Sequence, residues 1–259
     1  MRIIQLMILA FWFFCCLGHV YSVGAESIHE QALRCKIQAY KHYKGIGKPV
    51  HYAKAYRLYL QAAELGDAEA QHIVGGMLYK GLGTDPNNRM AFKWLLKAAK
   101  QGQKSPESMR ILGGMYLRGV GVPQNYKEAI KWLSLAAETG ELQALNDLAY
   151  IYYHGLTGER DFKKALKLYT KGAMRGDNKA MYNVGLMHAT GTGTPVDKAT
   201  GYAWYTLAAS RGNTTARSAR DALTAAMSWE NLNRAQALAV DFYHRLEQVE
   251  ESAAQPSTQ

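Results

Sequence analysis

Two ladders of glycine constrain this chain more than anything else in it. Gly45, Gly81, Gly119, Gly155 and Gly191 are separated by 36, 38, 36 and 36 residues. Gly66, Gly102, Gly140, Gly176 and Gly212 repeat those spacings, each 21 residues after its partner. A fixed period of this length means that one supersecondary unit is copied and that neighbouring copies share a core. The residues between the glycines repeat as well. Ten after each first-ladder glycine stand Ala55, Ala91, Ala129, Ala165 and Gly201, and three further on stand Leu58, Trp94, Trp132, Leu168 and Trp204. Ahead of the first-ladder glycines, Ala39, Gly75, Gly113, Ala149 and Gly185 each follow a larger residue: Gln38, Val74, Leu112, Leu148 and Val184. Small residues let two helices approach, and large ones fill the gap beside them.

Each copy therefore reads as helix, glycine turn, helix, glycine turn. The glycines suit left-handed helix C-caps. Ser105 followed by Pro106 is a helix start with proline at the first position, and Asp161 and Asp197 open second helices in the same way. No strand pattern survives this reading. The expected fold is all-α: an α/α solenoid (superhelix) of five helix-turn-helix repeats of about 36 residues over residues 26–212. The two extra residues of the third repeat fall around Lys104-Ser105-Pro106, between helices, where an insertion has a small entropic cost. In the fourth repeat the turn reads Gly155-Leu156-Thr157-Gly158, with its second glycine displaced by one. Beyond Gly212 the period stops. Residues 213–249 read as capping helices that cover the open end of the last repeat, and residues 250–259 as a polar, disordered tail.

The run Leu112-Gly113-Gly114-Met115-Tyr116-Leu117-Arg118-Gly119-Val120-Gly121-Val122, with Ala129, Trp132, Ala136-Ala137 and Gly140, resembles the Sel-one-like repeat (SLR). That family is a branch of the tetratricopeptide (TPR-like) superfamily. The resemblance covers about Gln31 to Gly212, five copies in register. The first copy departs most, with Arg34 and Gln38 at usually small and apolar sites, as suits the end of a stack.

The first residues stand apart from the period. Arg2 precedes an apolar stretch from Leu6 to Leu17, and Val23-Gly24-Ala25 offers small residues to a signal peptidase. Residues 1–25 read as a cleaved signal peptide, with a retained anchor as the rival reading. The expectation is a periplasmic or secreted protein with no stable membrane insertion after cleavage. Removing Arg2 would leave 30 basic and 21 acidic residues and a single cysteine, Cys35. One cysteine closes no internal disulfide, so packing alone must hold the fold.

Catalytic signatures are missing from the pattern. The histidines after residue 25 form no HExxH or paired zinc spacing, and no Gly-x-Ser-x-Gly elbow occurs. Thr190-Gly191-Thr192-Gly193-Thr194 imitates a phosphate loop but is the fifth copy of the repeat turn. His42 and His188 fall where other copies place Leu78, Tyr116 and Tyr152, so they read as packing residues. Lys93, Lys97, Lys100, Lys163, Lys164 and Lys167 recur on second helices as a solvated outer face. No catalytic residue, metal or cofactor is expected, and the chain is read as a monomeric binding protein rather than an enzyme.

What the resemblance implies for binding is a concave face lined by the first helices. Positions nine, five, two and one before each turn glycine would then point into a groove. The candidate ligand residues are Lys36, Tyr43, Lys44, His72, Tyr79, Lys80, Arg110, Arg118, Asn146, Tyr153, His154 and Tyr182. Tyr40 and Tyr150 share the rows, and for them and for Tyr182 either packing or ligand contact fits. The set holds no Asp or Glu. Tyrosine gives rigid contact area with a polar tip, and Lys and Arg take carboxylates. The partner that fits is a protein or an extended peptide, acidic or bearing a free carboxylate; an anionic cell-envelope glycan is the alternative. The net charge of +10 agrees with anionic partners, and export speaks against nucleic acid.

Overall fold

The structure is a computed structural model that describes residues 26–254. The signal-peptide reading and residues 255–259 lie outside the described residues. Twelve helices and no strand occur among those described. They divide at Pro86–Asn87 into two compact units.

The first unit holds α1 (Ile28–Lys44), α2 (Tyr52–Glu64) and α3 (Ala68–Lys80). Ser27 opens α1 through a capping box. Its hydroxyl accepts the Glu30 backbone N–H, and the Glu30 carboxylate accepts the Ser27 N–H at 2.8 Å. Asp67 caps α3 by accepting the Ala70 N–H at 2.7 Å. His51, in a role no sequence signal gave, caps α2 through Nδ1.

The second unit holds α4 (Asn88–Lys100), α5 (Pro106–Arg118), α6 (Tyr126–Glu138), α7 (Leu142–His154), α8 (Phe162–Ala173), α9 (Asn178–Thr190), α10 (Lys198–Ser210), α11 (Thr214–Ala225) and α12 (Trp229–Ala254). Ser105, Asp161 and Asp197 occupy N-caps as their sequence contexts require. Consecutive helices pack on one another from α4 to α11, the stacking of a helical solenoid. In both units the first-ladder glycines close their helices in the left-handed conformation, with φ from 65° to 74°.

The small-beside-large contact is present but displaced by one residue. A Cβ on Gly113 would lie 2.6 Å from Leu133 Cγ, and one on Gly185 would lie 2.7 Å from Tyr205 Cδ1. Tyr59, Leu95, Leu133, Tyr169 and Tyr205, each 14 residues after a turn glycine, are buried in every repeat. Each such side chain contributes about 1.5–3 kcal/mol by leaving water. The preceding row, where the sequence points to Leu58, Trp94, Trp132, Leu168 and Trp204, is less uniform. Trp132 and Trp204 are buried, whereas Leu58, Trp94 and Leu168 are only half-buried.

The second glycine of the turn has a function of its own. A Cβ on Gly83 would collide with the Tyr52 carbonyl, and one on Gly121 with the Asn88 carbonyl. The turn thus rests on the start of the second helix in the preceding copy. In the fourth repeat this glycine is displaced to Gly158, which meets nothing within 4 Å.

After α10 the chain folds back. Phe242 packs on Trp204 with ring centroids 5.0 Å apart, and Leu246 joins the same core. Ala235 packs with Ala199 and Tyr202. The sequence places a polar tail from residue 250, yet α12 continues to Ala254. Glu250 pairs with Arg211 at 2.6 Å, and that contact ties the added turn down.

Candidate functional site

Residues nine, five, two and one before a turn glycine are spaced i, i+4, i+7 and i+8, which puts them on one face of each first helix. Their surroundings split them into two groups.

The row at minus nine is engaged within the protein. In the first unit Lys36 Nζ lies 3.0 Å from Asp67 and 2.8 Å from Glu69. Burial alone would lower its pKa, but the bonds to Glu69 and Asp67 outweigh it and hold the ammonium above its usual range. In the second unit Arg110 Nε lies 3.3 Å from Glu141. Asn146 is 8% exposed, and neither amide atom has a hydrogen-bond partner. Tyr182 packs against Tyr205, with centroids 5.6 Å apart. The expectation of a face free of carboxylates is therefore corrected. The acids come from the start of the following first helix: Asp67 and Glu141 are N-cap residues and Glu69 lies in the first turn. Helix starts favour acidic residues for the helix's own sake, and stacking places them against the minus-nine row. Lys36 and Arg110 join repeat to repeat.

The rows at minus five, two and one are more exposed, apart from the buried Gly114 and Leu117. In the first unit Tyr40 is 49% exposed and Lys44 is exposed. Tyr43 meets Tyr52 edge-on at 5.3 Å, with the Lys44 ammonium 5.9 Å from its ring centre. Tyr79 is half-buried and Lys80 is exposed, and His72, of the minus-nine row, is half-buried. In the second unit Gly114 leaves space that the Arg118 guanidinium fills by lying back along α5. Arg118 is 3.9 Å from Asp147. Burial raises the Asp147 pKa, against a hydrogen bond from Gln143 and the charges of Arg118, Arg110 and Lys179. Tyr150 is 46% exposed and lies 4.2 Å from the His154 ring, with Tyr153 5.1 Å on the other side. Tyr153 also packs edge-on against Phe162 at 5.4 Å, so it is less available than Tyr150. The open tyrosines Tyr40 and Tyr150 thus belong to the row the sequence leaves between packing and contact. Their signal is that two of the other three copies carry Gly76 and Gly114 there, residues with no side chain to pack, while the fifth carries Leu186.

His42 is buried and His188 half-buried, each with Nδ1 unpaired. Burial lowers both pKa values; Lys48, Lys54 and His51 add to the effect at His42, and Asp197 opposes it at His188. Among the described residues no cluster of His, Cys, Asp and Glu could hold a metal ion. No described helix is long and apolar enough to cross a membrane.

Paired helices of fixed period, closed by left-handed glycines and stacked turn on helix, define a TPR-like repeat protein. The Sel1 repeat profile matches residues 39–67, 68–103, 106–140, 142–177 and 178–213, and the chain belongs to the Sel1 repeat family. Among solved structures it is similar to a protective antigen of uropathogenic Escherichia coli with an SLR fold. The TM-score is 0.68 and the identity 26%, over 84% of this chain and 46% of that one. The chain thus spans about half the length of that protein. It is also similar to a Sel1 repeat protein of Oxalobacter formigenes, with TM-score 0.65 and 29% identity over 94% of this chain and 92% of that one. No curated protein matches the sequence. Sel1 repeat proteins mediate protein–protein interaction, and as scaffolds they are generally non-catalytic.

Proposed function

We propose that this protein is an exported scaffold that holds an extended acidic or carboxylate-bearing peptide on the open rows of its first helices. The observation that carries the reading is the pairing of exposed tyrosine with exposed cation. Exposed Tyr40 and Lys44 lie four residues apart on one helix in the first unit; in the second, exposed Tyr150 lies 4.2 Å from His154, and exposed Arg118 lies 3.9 Å from Asp147 on the helix that carries Tyr150. Tyrosine supplies contact area at low entropic cost, and a nearby cation selects carboxylate. The cations at minus nine are already neutralised, so they set spacing and leave binding to the open rows. Export is supported by the apolar stretch from Leu6 to Leu17 and the small residues ending at Ala25.

The test uses a labelled glutamate-rich peptide with a free C-terminus, alongside a lysine-rich counterpart. Arg118→Glu and Tyr150→Ala should each weaken binding of the acidic peptide about tenfold, the loss of one charge-assisted contact or one aromatic anchor. Their urea midpoints should stay at the parent value. Unchanged affinity in both variants, or equal binding of the lysine-rich peptide, would discard the peptide face. Displacement of the acidic peptide by soluble peptidoglycan fragments would move the reading to an envelope glycan stacked on Tyr150.

A further inference from the structure

Most of the chain's net charge sits on three second helices of the second unit. α4, α6 and α8 hold ten Lys and Arg against two Glu, a net of +8 where the whole chain carries +10. The cations follow the repeat. Eight residues after the first-ladder glycines stand Arg89, Lys127 and Lys163, and twelve after them stand Lys93, Lys131 and Lys167. Sixteen after them stand Lys97 and Lys171, with Leu135 in the copy between. All eight cations are exposed. Steps of four residues keep each file on one face of its helix, and equal register gives the three files one side of the unit.

A face that serves solubility mixes both signs, and this one does not. α4 and α8 contain no acid. α6 has Glu128, 3.5 Å from Lys131, and Glu138 at its end. Asp161 is occupied as an N-cap, accepting the Lys164 N–H at 2.9 Å. Asp85 and Glu159 lie in the connections ahead of α4 and α8. Lys131 apart, none of the eight cations makes an ion pair among the described residues. Like charges four apart weaken a helix, yet five such pairs are kept: Arg89–Lys93, Lys93–Lys97, Lys127–Lys131, Lys163–Lys167 and Lys167–Lys171. Folding gains nothing from that repulsion, and a bound anionic partner relieves it. In copy five the same rows are Ala199, Ala203 and Leu207, buried with α12 packed on their helix. There the protein covers the face itself.

The side chains select the class of partner. A protein interface is centred on apolar anchors, and Met90, 39% exposed, is the one large apolar side chain exposed on the described residues of these helices. Nine of the ten cations are lysine. Lysine is a hydrated point charge without a fork to grip one carboxylate or phosphate in fixed geometry, so it suits a field of anions. Lys97 lies 5.1 Å from the Trp94 ring centre and Lys164 4.0 Å from that of Tyr152, contacts that steady the ammonium groups without neutralising them. A linear polyanion follows a single file, whereas three files in register match a surface. We infer that this face of the second unit docks on a phospholipid bilayer rich in anionic headgroups, by charge and without insertion. The inference is independent of the first-helix reading, since none of its residues lies on those rows.

The purified full chain is sedimented with phosphatidylcholine vesicles made with and without phosphatidylglycerol. It should bind only the vesicles that contain phosphatidylglycerol, and added salt should release it. Lys93→Gln with Lys97→Gln, and separately Lys167→Gln with Lys171→Gln, should each lower the partition coefficient about thirtyfold, the effect of two lysines near an anionic surface. Lys48→Gln with Arg217→Gln makes the same change in net charge at exposed positions elsewhere and should lower it far less. Equal losses from all three pairs would mean that bulk charge does the binding, and would overturn the inference. So would the absence of binding at low salt, or equal binding to phosphatidylcholine alone. Soluble polyphosphate held by the same lysines, with no sedimentation on vesicles, would assign the face to a linear polyanion and overturn it as well. Urea midpoints of the lysine variants should match or exceed the parent's, since each removes a repulsion, and two pairs on separate helices keep the test decisive if one variant misfolds.

Discussion

Lys36 and Lys44 sit on one helix, two turns apart, and do opposite things. Lys36 is three-quarters enclosed and holds two carboxylates of the following helix; Lys44 stands in water beside tyrosine rings. On α5 the contrast is weaker: Arg110 lies 3.3 Å from Glu141, and Arg118, more exposed, still lies 3.9 Å from Asp147. Residue type therefore says little about whether a cation in a repeat protein binds a ligand. What decides is whether the next copy brings an acid to that row. The acids are N-cap and first-turn residues: the Asp67 carboxylate serves a helix start and an inter-repeat tie together, whereas Glu141 makes the tie without a side-chain cap bond.

The bluntest way to break the contrast is to move the helix that carries both rows. Gly121→Val adds a side chain where φ is +76° and where a Cβ already collides with the Asn88 carbonyl. Urea unfolding should show a loss of about 3 kcal/mol or more, and peptide binding should fall with it. Gly158→Ala, at a turn that meets nothing, should lose less, leaving only the backbone cost of its φ of 133°. If the two variants prove equally stable, the turn does not rest on the preceding copy.

A narrower cut is Lys36→Met, which leaves Asp67 and Glu69 without their cation. The expected loss is about 1–2 kcal/mol, because Asp67 is enclosed while Glu69 faces water. Lys44→Met should leave the urea midpoint within error and weaken acidic peptide instead. A stability loss at Lys44 equal to that at Lys36 would erase the distinction between the rows.

The smallest effect sharpens the comparison rather than breaking it. Burial raises the Asp147 pKa above its ordinary 3.8. A carboxyl raised in this way favours the fold while protonated, and that contribution fades as pH climbs through its folded pKa. Asp147→Asn should therefore raise the urea midpoint slightly at neutral pH, and the gain should vanish in acid below the ordinary carboxylate range. The same change releases Arg118, so acidic peptide should bind more tightly. A midpoint that falls at neutral pH would mean that the Arg118 contact outweighs burial.

The fold was legible because period and glycine chemistry report the same boundaries. The turn glycines, Ser105, Asp161 and Asp197 all stand where local rules put them. The site was half legible. Helical spacing placed Lys36, Lys44, Arg110 and Arg118 on one face, but pairing with Asp67 or Glu141 depends on how one copy seats on the next. No pattern within a single helix carries that information. The burial of Tyr59 and Leu133, one residue past the row the sequence favoured, has the same origin. It is set by the angle at which two helices cross.

The two edges of the repeat array differ in what they tolerate. Where the glycine of one turn rests on the helix start behind it, as Gly83 does on Tyr52, Gly121 on Asn88 and Gly193 on Phe162, the edge works like a ratchet, with the tooth missing at Gly158. A duplicated segment of a whole period keeps every tooth engaged. A shorter duplication puts a side chain where the glycine must be and jams. On the other edge Cβ atoms on Gly66, Gly102 and Gly212 would meet nothing, and those on Gly140 and Gly176 would meet the ends of the Arg175 and Arg211 side chains rather than backbone; the two extra residues of the third copy fall there. Copy number can change along this chain by whole steps, while drift in loop length is confined to one side.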